Sequence, residues 1–241
     1  MRIIIIRHAE PDYENNTLTK KGFEEAKVLG EYLKDLSFDA IYSSPYARAK
    51  LTALEIIKHH QDKELVIKDW LHEFEPRITL PGQEKKTITW DFYPRFYTKI
   101  KDFYDNDKYM DLPYFKNASV KEEYNNVITN FDNILKKNGY TRNGLLYQVT
   151  NENERTLIFV CHFGLMSVLM SHLLNIPYSL IANTFICLPS GVTTFITEER
   201  EKGIALFRCN GFSDMSHLNK VGMKVSFSGR FCETFSSNDR H

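Results

Sequence analysis

Four consecutive isoleucines, Ile3 to Ile6, stand near the start of the chain and are followed at once by Arg7 and His8. A continuous β-branched run predicts a strand that is covered on both faces, the pattern of a parallel sheet between two helical layers. Such a sheet carries its functional sites just beyond the carboxyl ends of its strands. Arg7 and His8 are therefore the first candidates for function.

Predicted strands and helices alternate over most of the remaining chain. Runs typical of strands occupy residues 3–6, 38–42, 65–67, 156–160, 184–188, 192–197 and 204–209. Amphipathic helices are predicted after Thr19, which suits an N-cap, and over residues 47–57 and 164–174. The alternation predicts an α/β fold of three layers, α/β/α, with a mostly parallel central sheet.

Residues 80–150 interrupt this order. The segment mixes aromatic and charged residues and contains no run typical of a strand, whereas residues 90–104 and 121–137 have helical periodicity. We therefore expect a single domain, residues 1–241, that carries a mainly helical cap insertion at residues 80–150. An insertion over the site would be the place for substrate selection, because segments held on a rigid scaffold commonly carry that role.

Charge and cysteine content bear on the class of protein. Lysine plus arginine equals aspartate plus glutamate at 31 each, so no net field attracts nucleic acid or an anionic membrane. The four cysteines, Cys161, Cys187, Cys209 and Cys232, form no C-x-x-C pair, which favours reduced thiols over a zinc site or a disulfide framework. The N-terminal apolar run is too short for a signal peptide or a membrane span. These features predict a soluble cytoplasmic protein and do not indicate its oligomeric state.

Three further candidate residues are expected at the same edge of the sheet as His8. His162 directly follows the strand at 156–160, Arg48 lies at the start of the second helix, and Glu73 follows the strand at 65–67. Two guanidiniums and a cationic imidazole can bind the charged oxygens of a phosphoryl group, while a neutral imidazole supplies the nucleophile. One carboxyl group can protonate the leaving oxygen and later activate water. The set predicts phosphoryl transfer through a side chain.

The sequence offers two candidates for the acid and one set of ligands for a metal. Glu73 is the candidate proton donor, and Glu75, two residues on, is the alternative. Partial burial would raise the pKa of the Glu73 carboxyl group and nearby arginines would lower it, so the sequence leaves its protonation state open. His8, Glu10 and His162 would be the ligands if the protein were a metallohydrolase.

Six short motifs stand in a fixed order along residues 1–75 and 155–218. They are Arg7-His8-Ala9-Glu10-Pro11, Leu18-Thr19-Lys20-Lys21-Gly22, Ile41-Tyr42-Ser43-Ser44-Pro45 with Arg48-Ala49 and Thr52-Ala53, Leu71-His72-Glu73, Val160-Cys161-His162, and the segment from Asn210 to Leu218. Together they resemble the signature of the histidine phosphatase superfamily, also called phosphoglycerate mutase-like. Ala9 stands where the family more often has glycine, and the insertion has no clear counterpart in the signature.

The resemblance implies a role for each candidate. It implies that His8 is the nucleophile and Glu73 the proton donor. The phosphoryl group would be held by Arg7, Arg48 and His162, with no metal and no other cofactor. The implied fold is phosphoglycerate mutase-like, and the implied activity is hydrolysis of small-metabolite phosphate monoesters through a phosphohistidine. A phosphomutase and a non-catalytic phospholigand-binding protein are the alternatives.

Overall fold

The computed structural model describes residues 1–229 and 233–237, and a mixed sheet of eight strands lies at its centre. The strands are β1 (Arg2–Arg7), β2 (Pro11–Asp12), β3 (Thr17–Leu18), β4 (Ala40–Ser43), β5 (Leu65–Ile67), β6 (Arg77–Ile78), β7 (Thr87–Ile88), β8 (Tyr140–Asn143), β9 (Leu146–Val149), β10 (Thr156–Cys161), β11 (Val192–Glu201) and β12 (Ile204–Asp214). The α-helices are α1 (Lys20–Tyr32), α2 (Ala47–Ile57), α3 (Pro94–Tyr97), α4 (Pro113–Lys116), α5 (Val120–Lys137), α6 (Phe163–Leu174), α7 (Tyr178–Thr184) and α8 (Ser216–Lys220). Short 3₁₀ helices cover Asp69–Leu71, Lys101–Tyr104 and Tyr109–Asp111.

The central sheet has a parallel half and an antiparallel half. Its strand order is β5-β4-β10-β1-β11-β12-β9-β8. The first four strands of this order run parallel to one another, and the rest pair antiparallel. The predicted α/β fold with mostly parallel core strands is confirmed, and so is the hairpin of the last two predicted strands, now β11 and β12.

The isoleucine run of β1 divides its side chains between two cores. Ile3 and Ile5 pack on the face that carries α5 and α6, whereas Ile4 and Ile6 pack on the face that carries α1 and α2. All four are at most 4% exposed, and burial of each such side chain contributes about 2 kcal/mol. Helical layers therefore cover both faces, as the unbroken apolar run predicted.

The predicted strand at residues 184–188 is wrong. Helix α7 extends to Thr184, and residues 185–188 form no strand. The backbone of this segment bonds to side chains instead of to a neighbouring strand: the carbonyl of Cys187 accepts from Arg7, and the N–H of Leu188 donates to Ser213 Oγ at 3.0 Å. An apolar run alone does not reveal such side-chain partners.

The expectation that residues 80–150 contain no strand is also wrong. β7 pairs with β6 as a two-residue ladder, and β8 and β9 extend the far edge of the central sheet beyond β12. β9 is anchored there because the buried Tyr147 ring meets Phe207 of β12 edge-on at 5.2 Å. These strands have only two to four residues, so they lack a long periodic pattern in the sequence.

One of the two helices predicted within this segment is confirmed. Residues 121–137 lie in α5, but residues 90–104 contain only α3 and one 3₁₀ turn. The aromatic spacing in 90–104 reflects a compact cluster rather than one helix face: the Phe92 ring contacts those of Phe96, Phe103 and Phe115 at 5.1–6.1 Å between centroids. That residues 1–241 form one domain with a cap at 80–150 stays a prediction.

The structure bears on the state of the cysteines and on the presence of membrane-spanning helices. Cys161, Cys187 and Cys209 are free thiols, and the first two are buried. Cys232 lies outside the described residues. Over residues 1–229 and 233–237, no helix is both long enough and apolar enough to cross a membrane.

Candidate active site

His8 and His162 lie side by side at the carboxyl ends of two neighbouring strands. β1 and β10 run parallel with Arg7 opposite Cys161, so the next residue of each strand emerges at the same sheet edge. The His8 N–H donates to the carbonyl of Cys161 at 2.9 Å, and the two imidazole centroids are 5.1 Å apart. The histidines therefore meet where the strand pattern predicted them.

His8 is held in one tautomer. Its Nδ1 donates to the carbonyl oxygen of Ala9 at 2.8 Å, because a carbonyl can only accept. The lone pair is then on Nε2. Burial lowers the pKa of His8 well below its usual value, and the charges of Arg7 and Arg48 lower it further. His8 is thus a neutral imidazole with a free lone pair, the form that a nucleophile needs.

The guanidiniums of Arg7 and Arg48 are buried and only partly paired. Arg7 Nη1 donates to the carbonyl of Cys187 at 2.5 Å, and Arg48 lies between the rings of Tyr13 and Tyr46 at 5.3 and 4.9 Å from their centroids. Among the described residues, the Nε atom of each arginine has no hydrogen-bond partner. Buried donors without partners indicate a place for an anion, since leaving them unpaired is costly.

The segment near the C-terminus covers Arg7. Ser226 is buried and donates to Glu10 Oε2. Gly229 follows with a φ of 93°, and a Cβ on it would stand 2.3 Å from Arg7 Nη1. Only a glycine fits this backbone conformation and this distance without displacement.

His162 is the N-cap residue of α6 and is fully buried. Its Nε2 is 2.7 Å from Ser44 Oγ, and its Nδ1 has no partner among the described residues. Burial lowers its pKa well below the usual value, followed by the charges of His8 and the two arginines. Two buried imidazoles whose centroids are 5.1 Å apart, beside two guanidiniums, disfavour further positive charge. The cationic His162 expected from the sequence stays a prediction.

Glu73 lies between the 3₁₀ turn Asp69–Leu71 and the start of α6. Its Oε1 accepts from the backbone N–H groups of Phe74 at 2.9 Å and Leu165 at 3.0 Å. Burial raises the pKa of Glu73 more than these bonds and the two arginines lower it. Burial thus favours the protonated form of Glu73, and Oε2, which accepts from neither of these N–H groups, is the oxygen able to carry the proton. The Glu75 side chain is exposed.

Residues 3–210 match the sequence profile of a family described as the histidine phosphatase superfamily (branch 1). The chain belongs to this superfamily. The matched range includes all the candidate residues and the insertion, so the resemblance seen in the motifs is confirmed over most of the chain.

Curated relatives of this histidine phosphatase superfamily chain match it over short stretches. An uncharacterised phosphoglycerate mutase family protein of Acanthamoeba polyphaga mimivirus is 38% identical over 93 residues, which is 32% of this chain and 46% of the relative. Phosphoserine phosphatase 1 of Hydrogenobacter thermophilus is 37% identical over 65 residues, 23% of this chain and 31% of the relative. The chain therefore spans less than half the length of these relatives.

Solved structures share the fold over nearly the whole superfamily domain. Phosphoserine phosphatase of Entamoeba histolytica, solved in complex with 3-phosphoglyceric acid, has a TM-score of 0.59 and 20% sequence identity. The similarity covers 90% of this chain and 98% of that one. At this level of identity the comparison shows a common fold, and it confirms the phosphoglycerate mutase-like architecture.

The metal-ligand hypothesis does not fit the side chains. Glu10 is occupied elsewhere: Oε1 accepts from Thr19 Oγ1 at 2.8 Å, and Oε2 accepts from Ser226. Among the described residues, no group of three or more histidine, cysteine, aspartate or glutamate side chains could hold a metal ion. His8, Glu10 and His162 therefore do not form a ligand set.

Several residues of this site were not singled out from the sequence. Ser44 contacts His162, Tyr13 and Tyr46 flank Arg48, and Gly229 covers Arg7. Ser44 belongs to the family motif Ile41-Tyr42-Ser43-Ser44-Pro45 and Tyr46 directly follows it, so that motif carried a signal for both. Gly229 had none, because its contact with Arg7 joins positions 222 residues apart.

Proposed function

We propose that this protein hydrolyses phosphate monoesters through a covalent phosphohistidine on His8. The observation that carries the proposal is the fixed tautomer of His8, which leaves the lone pair of Nε2 free beside two buried, partly unpaired guanidiniums. Cations that gather the phosphoryl oxygens next to a neutral imidazole favour attack on phosphorus. Arg7, Arg48 and His162 are proposed to hold the phosphoryl group.

The first step forms the phosphoenzyme. Nε2 of His8 attacks phosphorus, and the bond from phosphorus to the ester oxygen breaks. Glu73 gives its proton to that oxygen, so the alcohol leaves neutral. The raised pKa of Glu73 supports this role, because the carboxyl group must still hold a proton when the ester binds. The alternative acid, Glu75, is exposed and lacks the burial that supports Glu73 in this role.

The second step releases phosphate. The Glu73 carboxylate takes a proton from water, and the water oxygen attacks phosphorus as the bond to Nε2 breaks. Inorganic phosphate, neutral His8 and protonated Glu73 result, so the cycle balances without a metal or any other cofactor. The two steps split one difficult hydrolysis into two transfers.

The proposed substrate is a small-molecule phosphate ester. The fold neighbour from Entamoeba histolytica, which is named a phosphoserine phosphatase and was solved with 3-phosphoglyceric acid, supports this size class. We infer that the segment at residues 80–150 acts as the cap over the leaving group, since Trp90 of that segment stands beside Glu73. Neither nucleic acid nor a membrane is proposed as a partner.

A panel of phosphate esters, assayed with a chelator present, tests the proposal. Wild type should release phosphate, and His8→Ala should lose about 10³-fold or more of that rate. His59→Ala, which changes a histidine in the turn after α2, is the matched control and should retain activity. Rapid acid-free quenching with a radiolabelled ester should trap label on a peptide that contains His8.

The outcomes separate the alternatives. Phosphate release that depends on an acceptor, with return of label to that acceptor, would indicate a phosphomutase. Binding of esters without turnover would indicate a phospholigand-binding protein. Equal hydrolysis by wild type and His8→Ala, or label on another side chain, would refute the assignment of the nucleophile.

A further inference from the structure

Trp90, from the segment that follows β7, packs on the start of α6 beside Glu73. A Cβ on Gly164 would stand 2.4 Å from Cζ3 and 2.7 Å from Cη2 of the indole. The same point lies 2.8 Å from Glu73 Oε1. The indole edge and the carboxyl oxygen therefore converge on one small space, and they do so because residue 164 has no side chain.

The indole is fixed on its other sides. Thr89 Oγ1 and Tyr178 OH are 2.6 Å apart, and Asn183 of α7 binds the backbone on either side of Trp90, at the Thr89 carbonyl and the Phe92 N–H. The ring of Phe163 meets the indole edge-on with centroids 5.6 Å apart. This part of the insertion is thus tied to α6 and α7, and Trp90 cannot swing away without breaking these contacts.

The surroundings of Glu73 shift its pKa in two opposite directions. Those that face it from the packed elements are Arg7 of β1, Arg48 and Tyr46 at the start of α2, Cys161 of β10 and Tyr178 of α7. The two arginines and the two backbone N–H donors favour the carboxylate, whereas exclusion of water favours the carboxylic acid. The effect of burial is the larger, and the pKa of Glu73 is raised although its side chain is only half-buried. A group that covers the carboxyl group therefore affects how tightly it holds its proton.

We propose that Trp90 is a positioning residue that covers the Oε1 side of the half-buried Glu73 carboxyl group, limits the access of water to it and so favours the protonated form that gives its proton to the leaving oxygen. This inference rests on the proposed function. Trp90 acts through Glu73 and not on the ester itself. Trp90 belongs to the insertion at residues 80–150, whereas the other candidate residues belong to the family motifs.

The unpaired indole nitrogen supports a role beyond packing. Trp90 is 8% exposed, and its Nε1 is buried with no hydrogen-bond partner among the described residues. A buried donor without a partner costs stability. Phenylalanine would avoid that cost, but its single ring would cover less of the space shared with Gly164 and Glu73. The width of the bicyclic ring therefore fits the proposed role of covering the carboxyl group.

Trp70, the other tryptophan of the chain, provides a matched control. It is 9% exposed, and its ring packs on Phe131 and Phe159 at 6.4 and 6.5 Å between centroids. It therefore offers equal burial in the same core cluster without the contact at Gly164. Trp70→Phe should reproduce any general loss of packing, and Trp90→Phe should add the effect on Glu73.

The first test measures kcat/KM against pH for an alkyl and an aryl phosphate ester. The alkyl oxygen needs the Glu73 proton in order to leave, and the aryl oxygen needs it far less. In Trp90→Leu the alkyl ester should lose about ten-fold or more and the aryl ester less than about three-fold. The basic limb of the alkyl profile should also move to lower pH, because a more hydrated Glu73 gives up its proton earlier. Trp90→Phe should lie between Trp90→Leu and wild type.

If both esters lose kcat/KM equally and the basic limb stays at the same pH, Trp90 only contributes packing and the inference is overturned. The same holds if Trp70→Phe shifts the limb as far as Trp90→Phe does. Trp90→Phe serves if Trp90→Leu does not fold, since it preserves most of the buried surface.

The second test needs no turnover. The carboxyl stretch of Glu73 is followed by infrared difference spectroscopy over a pH series and identified by its loss in Glu73→Gln. The titration midpoint should be lower in Trp90→Leu and Trp90→Phe than in wild type and Trp70→Phe. An identical midpoint in all four proteins would overturn the inference. A lowered midpoint in a protein that hydrolyses no ester would uphold it and refute the proposed function alone.

Discussion

Gly229 lies against Arg7, a residue 222 positions earlier in the chain. A side chain on Gly229 would place its Cβ 2.3 Å from Nη1 and 2.9 Å from both Cζ and Nη2 of that guanidinium. Arg7 is consequently only 4% exposed although it belongs to the proposed phosphoryl site. The C-terminal segment thus forms part of the wall around the arginine.

Gly229→Ala should uncover Arg7. The added methyl group cannot fit against the guanidinium, so residues 226–229 must shift away from it. Modification of Arg7 by phenylglyoxal, followed by peptide mass spectrometry, should be faster in the variant. Gly222→Ala is the matched control, because Gly222 also has a positive φ, 69°, but its Cβ would meet nothing within 4 Å. Equal rates in the two variants would contradict the contact.

The part of the site that the sequence predicts is the part set by strand ends. His8 and His162 each follow a buried strand, and two parallel neighbours in register must release their next residues together. The pattern of buried strands therefore predicts the meeting of two residues 154 positions apart. Arg48 lies at the start of α2, the helix that follows β4, so the order of strand and helix places it at the same edge.

The sequence has no comparable pattern for contacts that depend on irregular backbone. Trp90 and Glu73 both lie against Gly164 because that residue has no side chain, and the carbonyl of Cys187 accepts from Arg7 in a segment that forms no strand. Neither fact follows from periodicity, since each is decided by one local fit.

Ser44→Ala should weaken catalysis through His162. Ser44 Oγ is the partner of His162 Nε2 at 2.7 Å and also accepts from the Tyr46 N–H at 3.2 Å. Without it the imidazole loses the bond that selects its tautomer, and a loss of roughly ten-fold in kcat is expected, the equivalent of about 1.4 kcal/mol. Ser43→Ala is the control, because Ser43 Oγ donates to the carbonyl of Ser44 and has no bond to His162 among the described residues. A larger loss from the Ser43 change would count against this assignment.

The acid limb of activity should lie below the usual histidine range. His8 must be neutral to attack, and its pKa is lowered well below 6.5 by burial and the two arginines. As the pH falls, kcat/KM should persist through 6.5 and decline only when the pH passes through the lowered pKa. Nitrogen NMR of the imidazoles, assigned by loss of signal in His8→Gln, should show Nδ1 protonated and Nε2 free. A His8 titration at or above 6.5 would contradict the burial argument.

Glu25→Gln should stabilise the protein at alkaline pH. Glu25 is fully buried in α1, where Oε2 accepts from the Glu10 N–H at 2.9 Å, and burial raises its pKa from 4.5 to about 7. The folded protein therefore holds this proton more tightly than the unfolded chain does. The stability that this difference contributes is fully present below pH 4.5 and is lost as the pH rises through about 7. The decline attributable to Glu25 amounts to about 3 kcal/mol.

Glutamine keeps an acceptor for the Glu10 N–H and has no charge to bury. Urea unfolding at pH 4 and pH 8 should therefore show that the free energy of unfolding of Glu25→Gln, relative to wild type, rises by about 3 kcal/mol over this interval. Glu24→Gln, at the exposed neighbouring position on the same helix, should show no such rise. A difference between Glu25→Gln and wild type that stays constant with pH would mean that Lys21, whose Nζ lies 3.7 Å from Glu25 Oε1, fully offsets the cost of burying the carboxylate.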